Sequence, residues 1–405
     1  MGDDKRRLNW VLIAAAAGLV LRLAFSFGYW VNQPLTRDER EYLSLARSLA
    51  AGNGFAYDTS LGDASDPFGR APGYPLFLAL TGAGSHAGDG VPSGVLIAQA
   101  VVGALGVFAV GALARRLAGS QAALVAAWIA AIHPPLVAIS ARAFSEAIAW
   151  PLGLAVALSF DRAIADPGGR SSRAVIAGVL TGLAVLVRPG LLFFLPLAVV
   201  WAVWRKRPRV ALGCLAGAAI VLAPWTARNV AHYGRFVIVA SEGGVTFWTG
   251  NHPQAIGDGD LAANPDLARA KIALRAEHGA RSEEQMEPVY YSEALHWIRS
   301  NPFAWLALEA RKVFYLIVPV GPSYTTHSAR YYAASAIPYL AVLVLAVVGI
   351  ARAKPVLGRT PGLWLLLASS VAVCLIFFPS ERFRIPVIDP ALIVLAGAAF
   401  RIPPS

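Results

Sequence analysis

Long apolar stretches separated by short polar loops dominate the chain. An α-helix needs about 20 apolar residues to cross a bilayer, and stretches close to or above that length recur from end to end. Ten of them are predicted to span a membrane: 8–30, 94–114, 122–139, 143–160, 174–187, 191–204, 210–225, 331–350, 363–378 and 386–400. The pattern therefore predicts an all-α polytopic membrane protein with about ten transmembrane helices.

The basic residues of the loops predict how these spans are oriented. Lys5, Arg6 and Arg7 precede the first span, and the later basic loops fall on the same side, which indicates cytoplasmic termini. The first span shows no cleavage site and is expected to remain as an anchor. Charged residues interrupt the segment 305–320, so we expect it to lie outside as an interfacial helix, although the sequence leaves open whether it crosses. The predicted divisions are a first transmembrane helix (1–30), a first extracytoplasmic loop (31–93), transmembrane helices 2–7 (94–225), an extracytoplasmic region (226–330) and transmembrane helices 8–10 (331–405).

The two extracytoplasmic regions are predicted to contain surface helices and a small mixed unit. Thr36 and Glu39 fit a capping box, an apolar stripe follows at helical spacing, and Gly52 and Gly54 end the helix. Such an amphipathic helix should lie along the membrane surface. The other predicted elements are a short helix that begins near Pro72 or Pro75, a strand over 235–240, and helices near 267–277 and 287–300.

Composition and charge narrow the functional classes. Hydrophobic residues make up 57% of the chain and charged residues 15%, which excludes an ordinary soluble domain. The formal charge of +11 resides mostly in short loops that orientation requires, so we expect a lipid bilayer and no nucleic acid as a partner. Cys214 and Cys374 lie within apolar spans and lack metal-binding spacing, so neither a disulfide framework nor a zinc site is indicated.

Charged residues at the predicted outer face are the candidates for chemistry. Asp38 and Glu39 occupy the first turn of the surface helix, where they either favour the helix dipole or act as acids and bases. Arg70 follows in the same loop and suits an anion. Other charges at outer span ends are Arg142, Glu146, Arg188, Glu381, Arg382 and Arg384. One alternative is that these charges have only structural roles, as an Arg142–Glu146 ion pair or as side chains that snorkel to the interface. Their position on one face of the membrane, however, also suits the binding of an anionic, lipid-borne substrate. Whether Arg22, within the first span, faces lipid or protein stays open.

Four stretches carry a resemblance to a known superfamily. They are Arg37–Tyr42, Arg70–Pro75, Ala223–Asn251 and Arg382–Pro386, with Arg188–Pro189 in addition. In order and content they resemble the GT-C superfamily of membrane glycosyltransferases, particularly the bacterial relatives of protein O-mannosyltransferases and lipid A aminoarabinose transferases. Some relatives have a long soluble domain after the last span that this chain lacks, so the acceptor stays open.

The resemblance implies a hexosyl or pentosyl transferase that takes its sugar from a polyprenyl-phosphate carrier. Transfer to an acceptor hydroxyl would proceed with inversion at the outer face of the plasma (inner) membrane. By similarity Asp38 is the general base, and Glu39 positions it or assists a divalent metal ion, a cofactor that stays open. The implied donor-phosphate ligands are Arg70, Arg188, Arg382 and Arg384, and further substrate contacts are Arg142, Glu146, Tyr74, Trp248 and Asn251. The alternatives are a transporter or flippase of a lipid-linked saccharide and a noncatalytic assembly partner; the sugar, the acceptor (lipid, glycan or protein) and the oligomeric state stay open.

Overall fold

The computed structural model describes residues 2–58, 61, 67–85, 90–168, 170–240, 242–279, 281–326 and 328–402. Parts of the predicted first loop, namely 59–60, 62–66 and 86–89, lie outside the described residues. Throughout the described ranges the secondary structure is helical. In chain order the α-helices are α1 (Gly2–Gly28), α2 (Arg37–Ala50), α3 (Gly73–Leu80), α4 (Ser93–Ala118), α5 (Ser120–Ile132), α6 (Pro134–Ala138), α7 (Glu146–Ile164), α8 (Ser171–Val187), α9 (Phe194–Trp204), α10 (Pro208–Tyr233), α11 (Gly243–Gly250), α12 (Pro265–Glu277), α13 (Glu283–Ser300), α14 (Pro302–Ile317), α15 (Ala329–Ala353), α16 (Pro361–Ile376), α17 (Glu381–Arg384) and α18 (Ile388–Ala398).

The all-α polytopic membrane fold is confirmed, and each of the ten predicted spans contains a helix. Among the described residues, α1, α4, α7, α10 and α15 are long and apolar enough to cross a membrane singly. The pair α5–α6, bent by 58°, makes a sixth such segment, and α8, α9, α16 and α18 are shorter apolar helices. The number of ten crossings remains a prediction.

Small residues let the helices of the bundle approach closely. A Cβ atom at Gly178 on α8 would overlap the Cys214 carbonyl of α10, and one at Gly217 would overlap the Val175 carbonyl of α8. In the same way a Cβ at Gly349 on α15 would overlap the Leu395 carbonyl of α18. Because lipid tails are as apolar as leucine, packing of this kind is the main attraction between helices inside a membrane.

Arg22 faces the bundle interior, which answers the question that the sequence left open. Pro134 and Pro135 at the bend between α5 and α6 have no N–H to offer the carbonyl groups four residues earlier, at Ala130 and Ala131. The buried Arg22 guanidinium donates to both carbonyl oxygens, each at 3.3 Å. This arginine therefore satisfies backbone groups that the break would leave unpaired in a water-poor region.

The surface helix α2 forms as predicted. Thr36 Oγ1 accepts a bond from the Glu39 amide at 3.5 Å, and Glu39 Oε2 accepts from the Thr36 amide at 2.9 Å, which completes the capping box. The helix ends at Ala50, and Gly52 adopts the left-handed region with a φ of 78°. Its apolar side packs on α3, which begins at Gly73 as expected near Pro72.

The strand expected over 235–240 is wrong. This segment packs along α10, whose side chains bind its carbonyl groups: Trp225 Nε1 donates to Val239 O at 2.7 Å and Thr226 Oγ1 to Ile238 O at 2.8 Å. Asn229 Nδ2 also donates to Val239 O at 2.7 Å. Side-chain donors thus replace the neighbouring strand that the β-branched residues suggested. The two helices predicted further along are present as α12 and α13.

Helix α14 covers most of the segment 305–320, for which the sequence left open whether it crosses the membrane, and it is amphipathic. Lys312 on its inner side is fully buried and donates to Glu309 Oε1 at 2.6 Å and Asn251 Oδ1 at 3.2 Å. Its other side presents exposed apolar side chains, namely Phe303, Leu306, Val313, Phe314 and Ile317. This division suits a helix whose apolar side faces lipid, and the interfacial position of α14 remains a prediction.

Candidate active site

A cleft of about 1620 Å³ lies where α2 and α13 meet the ends of the apolar helices α8, α15 and α16. One part of its wall is charged and includes Asp38, Arg70, Arg142, Arg188 and Arg382. Another part is apolar and includes Val187, Leu191, Phe193, Val373, Phe377 and Val387. The cleft can therefore receive an amphipathic ligand whose anionic and apolar portions are adjacent.

Asp38 is the central carboxylate of the charged wall. Its Oδ1 accepts a hydrogen bond from Arg70 Nη2 at 2.9 Å, and its Oδ2 accepts one from Arg382 Nη1 at 2.6 Å. The side chain of Asp38 is 30% exposed, so it still faces the cleft. Two helices far apart in sequence thus contribute to one site, because α2 carries the acid and the short α17 carries one of its arginines.

Glu41 holds Arg70 from the other side. Arg70 Nε donates to Glu41 Oε2 at 3.0 Å, Nη2 contacts the same oxygen, and the guanidinium carbon lies 5.0 Å from the centre of the Tyr42 ring. Only 12% of the Arg70 side chain is exposed. Sequence reasoning missed Glu41 as a site residue, although its position three residues after Asp38 puts both carboxylates on one side of α2.

Glu146 connects two arginines of the cleft. Its buried Oε1 accepts a hydrogen bond from Arg382 Nε at 3.0 Å and forms an ion pair with Arg188 Nη1, also at 3.0 Å. The Arg142–Glu146 ion pair considered from the spacing is not the arrangement that forms, since Glu146 faces the other two arginines. Carboxylates and guanidinium groups therefore alternate from Glu41 through Arg70, Asp38, Arg382 and Glu146 to Arg188.

Arg142 differs from the other arginines of the cleft. Its guanidinium carbon lies 4.3 Å from the centre of the Phe144 ring and 5.4 Å from that of Trp30. Within the described residues it forms no ion pair. The Arg382 guanidinium carbon lies 4.1 Å from the centre of the same Phe144 ring, so this ring contacts both arginines.

The arginines control the ionisation of Asp38. Burial by itself would raise the pKa of this carboxyl, but the charges of Arg382 and Arg70 and their hydrogen bonds outweigh that effect and lower the pKa to about 2. Asp38 is consequently ionised at neutral pH. While both arginines remain bound, however, it is a weak acceptor of protons.

Glu39 lies behind the cleft wall. It is 1% exposed, and besides the capping box its Oε1 accepts from the Ala143 amide at 3.0 Å, which ties α2 to the segment before α7. Both oxygens of Asp38 bind arginines, and those of Glu39 bind the Thr36 and Ala143 amides. In the described part of the chain no three potential ligands from His, Cys, Asp and Glu converge. The arrangement does not fit a divalent metal ion held between Asp38 and Glu39.

Four other predicted site residues lie away from the cleft. Arg384 pairs with Asp389 at 2.7 Å, and Tyr74 donates to Gln99 Oε1 at 2.7 Å. Asn251 Nδ2 donates to the Ile376 carbonyl at 2.9 Å, and Trp248 is buried in the small core between α11 and α13. Each of these side chains supports a packing contact between elements in the described structure.

Comparison with known proteins bears out the resemblance in sequence and fold. Residues 71–227 match the family described as dolichyl-phosphate-mannose-protein mannosyltransferase. The chain has the fold of the archaeal oligosaccharyltransferase AglB from Archaeoglobus fulgidus. Its structure with an inhibitory peptide and a dolichol-phosphate aligns at a TM-score of 0.56 and 17% identity over 97% of this chain and 50% of AglB. The apo structure of the A. fulgidus enzyme aligns at a TM-score of 0.57 and 18% identity over the same shares.

The chain spans about half the length of AglB. ArnT from Cupriavidus metallidurans aligns over 97% of this chain and 78% of its own length at 18% identity, with a TM-score of 0.44. No curated protein sequence matches the chain significantly. In its sequence match and its fold the chain thus resembles the GT-C membrane glycosyltransferases.

Proposed function

We propose that this protein is a glycosyltransferase that moves a sugar from a polyprenyl-phosphate carrier to an acceptor hydroxyl, with inversion, at the outer face of the plasma membrane. The observation that carries the proposal is the Asp38 carboxylate, which faces the cleft between Arg70 and Arg382. The Asp38 carboxylate can accept a proton, and the guanidinium groups of Arg70 and Arg382 can bind a phosphate.

The two kinds of wall in the cleft support a lipid-borne donor. Planar guanidinium groups bind phosphate oxygens in pairs, and the apolar wall next to them suits the first isoprene units of the carrier. The description of the matching family names a dolichyl-phosphate sugar, and one AglB structure is a complex with an inhibitory peptide and a dolichol-phosphate. A polyprenyl-phosphate donor is therefore the substrate class that we propose here.

The reaction that we propose is a single displacement. Asp38 takes the proton of the acceptor hydroxyl, the acceptor oxygen bonds to the anomeric carbon, and the bond from that carbon to the phosphate oxygen breaks. The electron pair leaves with the phosphate, which departs as polyprenyl phosphate and needs no general acid. The arginines stabilise the charge that develops on it, an effect that in other enzymes is worth a few kcal/mol per donor. A single displacement inverts the anomeric configuration.

An assay with purified protein tests this proposal. Wild-type protein in lipid nanodiscs receives a radiolabelled polyprenyl-phosphate hexose or pentose together with a bacterial envelope extract as the source of acceptors. We expect release of polyprenyl phosphate and transfer of label to an acceptor fraction. Intact donor after incubation with each sugar class would refute the proposal. Movement of intact donor across proteoliposomes without transfer would favour a flippase instead.

A further inference from the structure

Asp38 and a donor phosphate would compete for the same guanidinium group. Asp38 uses both carboxylate oxygens on arginines, Oδ1 on Arg70 and Oδ2 on Arg382. If the phosphate binds these arginines as well, the base and the leaving group share their ligands. The structure indicates which of the two arginines can change partners.

Arg382 is the more available of the two. Its side chain is 41% exposed, against 12% for Arg70. Arg70 is bound to Glu41 through two of its nitrogens, whereas Arg382 offers Asp38 only Nη1. Glu146 holds Arg382 by Nε at 3.0 Å, so the guanidinium stays in place when Nη1 loses its partner.

Arg142 marks where the phosphate would sit. It lies against the same Phe144 ring as Arg382 and has no ion pair within the described residues, so an anion could bind it without displacing a carboxylate. A phosphate at the edge of this ring could therefore accept hydrogen bonds from both guanidinium groups.

We propose that the donor phosphate binds between Arg142 and Arg382 and takes Arg382 from Asp38, which frees Asp38 Oδ2 to act as the base while Arg70 still holds Oδ1. This inference rests on the proposed function. It means that the base becomes active only after the donor has bound, so the order of binding is built into the site.

The charge balance of the reaction favours this exchange. The donor is a phosphodiester with one negative charge, and the departing polyprenyl phosphate gains a second one when its bond to the sugar breaks. Asp38 loses its negative charge in the same step because it accepts the acceptor proton. As the reaction proceeds, Arg382 is therefore attracted more strongly to the phosphate and less strongly to Asp38.

Binding of undecaprenyl phosphate, measured by thermophoresis with purified protein in detergent, tests the exchange without turnover. Asp38→Asn removes the competitor, and we expect it to bind about tenfold more tightly, roughly the value of one charge-assisted hydrogen bond. Arg142→Gln should bind more weakly than wild type. The gain from Asp38→Asn should persist in the Arg142→Gln background and disappear in the Arg382→Gln background.

Two controls keep the result specific. Asp260→Asn removes the same charge from another part of the cleft wall and should give no gain; an equal gain would mean that only the overall field had changed and would overturn the exchange. Asp38→Ser serves as a second variant if Asp38→Asn does not fold. A gain in affinity from Asp38→Asn that persists in the Arg382→Gln background would also overturn the exchange. Wild-type protein that binds no undecaprenyl phosphate would instead contradict the proposed function, and the exchange with it.

Discussion

Asp38 and Arg382 are 344 residues apart in the chain, yet their side chains form an ion pair of 2.6 Å. The acid belongs to α2, which follows the first span, and the arginine belongs to α17, which precedes the last apolar helix. The Ser380 hydroxyl caps α17 by accepting a bond from the Phe383 amide at 3.3 Å, so the arginine is presented from a defined turn. The candidate site thus depends on the packing of the whole bundle.

Asp38→Asn should lower turnover by about 10²- to 10⁴-fold, which is the usual contribution of a general base. Asparagine keeps the size of the side chain but cannot accept the proton. The measurement is the initial rate of polyprenyl-phosphate release at saturating donor, normalised to folded protein. Asp260→Asn is the matched control, and an Asp38→Asn enzyme as fast as that control would contradict the role of base.

Arg382→Lys should raise the KM for donor by about tenfold, although the positive charge is kept. An ammonium group cannot bond to Glu146 and the cleft at the same time in the way that a planar guanidinium does. Arg70→Lys should instead lower kcat more than it raises the donor KM, because it loses the paired contact with Glu41 and Asp38 that holds the base in place. The exposed Arg269→Lys on α12 is the control, and an equal change of KM in that variant would point to a general effect of lysine substitution.

Local chemistry made parts of the fold predictable from sequence. The capping box of α2 and the apolar spans depend on neighbouring residues, so both could be inferred. Which charged side chains face the cleft depends on contacts between distant elements. Arg384, for example, turns toward Asp389, although it lies two residues from Arg382. The segment 235–240 shows the same limit, because α10 side chains decided its backbone partners.

Glu39→Gln should reduce stability more than it reduces catalysis. The buried carboxylate accepts bonds from the Thr36 and Ala143 amides, and an amide side chain can satisfy them only in part. We expect a loss of about 1–3 kcal/mol in the free energy of unfolding. Thermal unfolding in detergent measures this loss, and turnover per folded molecule should stay within a few-fold of wild type. A stable Glu39→Gln protein without activity would require a direct catalytic role instead.

The predicted cytoplasmic location of the loop between α15 and α16 can be tested with a cysteine at position 358. The position is exposed, and a Cβ there would meet no neighbouring atom within 4 Å. We expect Gly358→Cys in intact cells to resist an impermeant thiol reagent, while Glu277→Cys on α12 reacts readily. The two native cysteines are buried and should stay silent. Ready labelling at Gly358 would mean that α14 crosses the membrane.

The ion pairs of Asp38 should make stability depend on pH in a defined direction. The folded protein lowers the pKa of this carboxyl to about 2 from an ordinary value of 3.8. The unfolded chain therefore binds the proton more readily, so the contribution is complete above the ordinary pKa and is lost as pH falls toward the folded value. The difference in unfolding midpoint between wild type and Asp38→Asn should shrink between pH 5 and about pH 3. A difference that stays constant over this range would contradict the pairing.

The acid limbs of the rate profiles should separate if the donor phosphate takes Arg382 from Asp38. The limb of kcat/KM reports the free enzyme, in which both arginines hold the pKa of Asp38 near 2, so this parameter should stay level down to about pH 4. The limb of kcat reports the donor complex, in which Asp38 has lost one arginine and faces a phosphate, and both changes raise its pKa. We therefore expect kcat to begin falling at a higher pH than kcat/KM. Initial rates at limiting and saturating donor across this range make the comparison, and coincident limbs would mean that Arg382 stays on Asp38 when the donor binds.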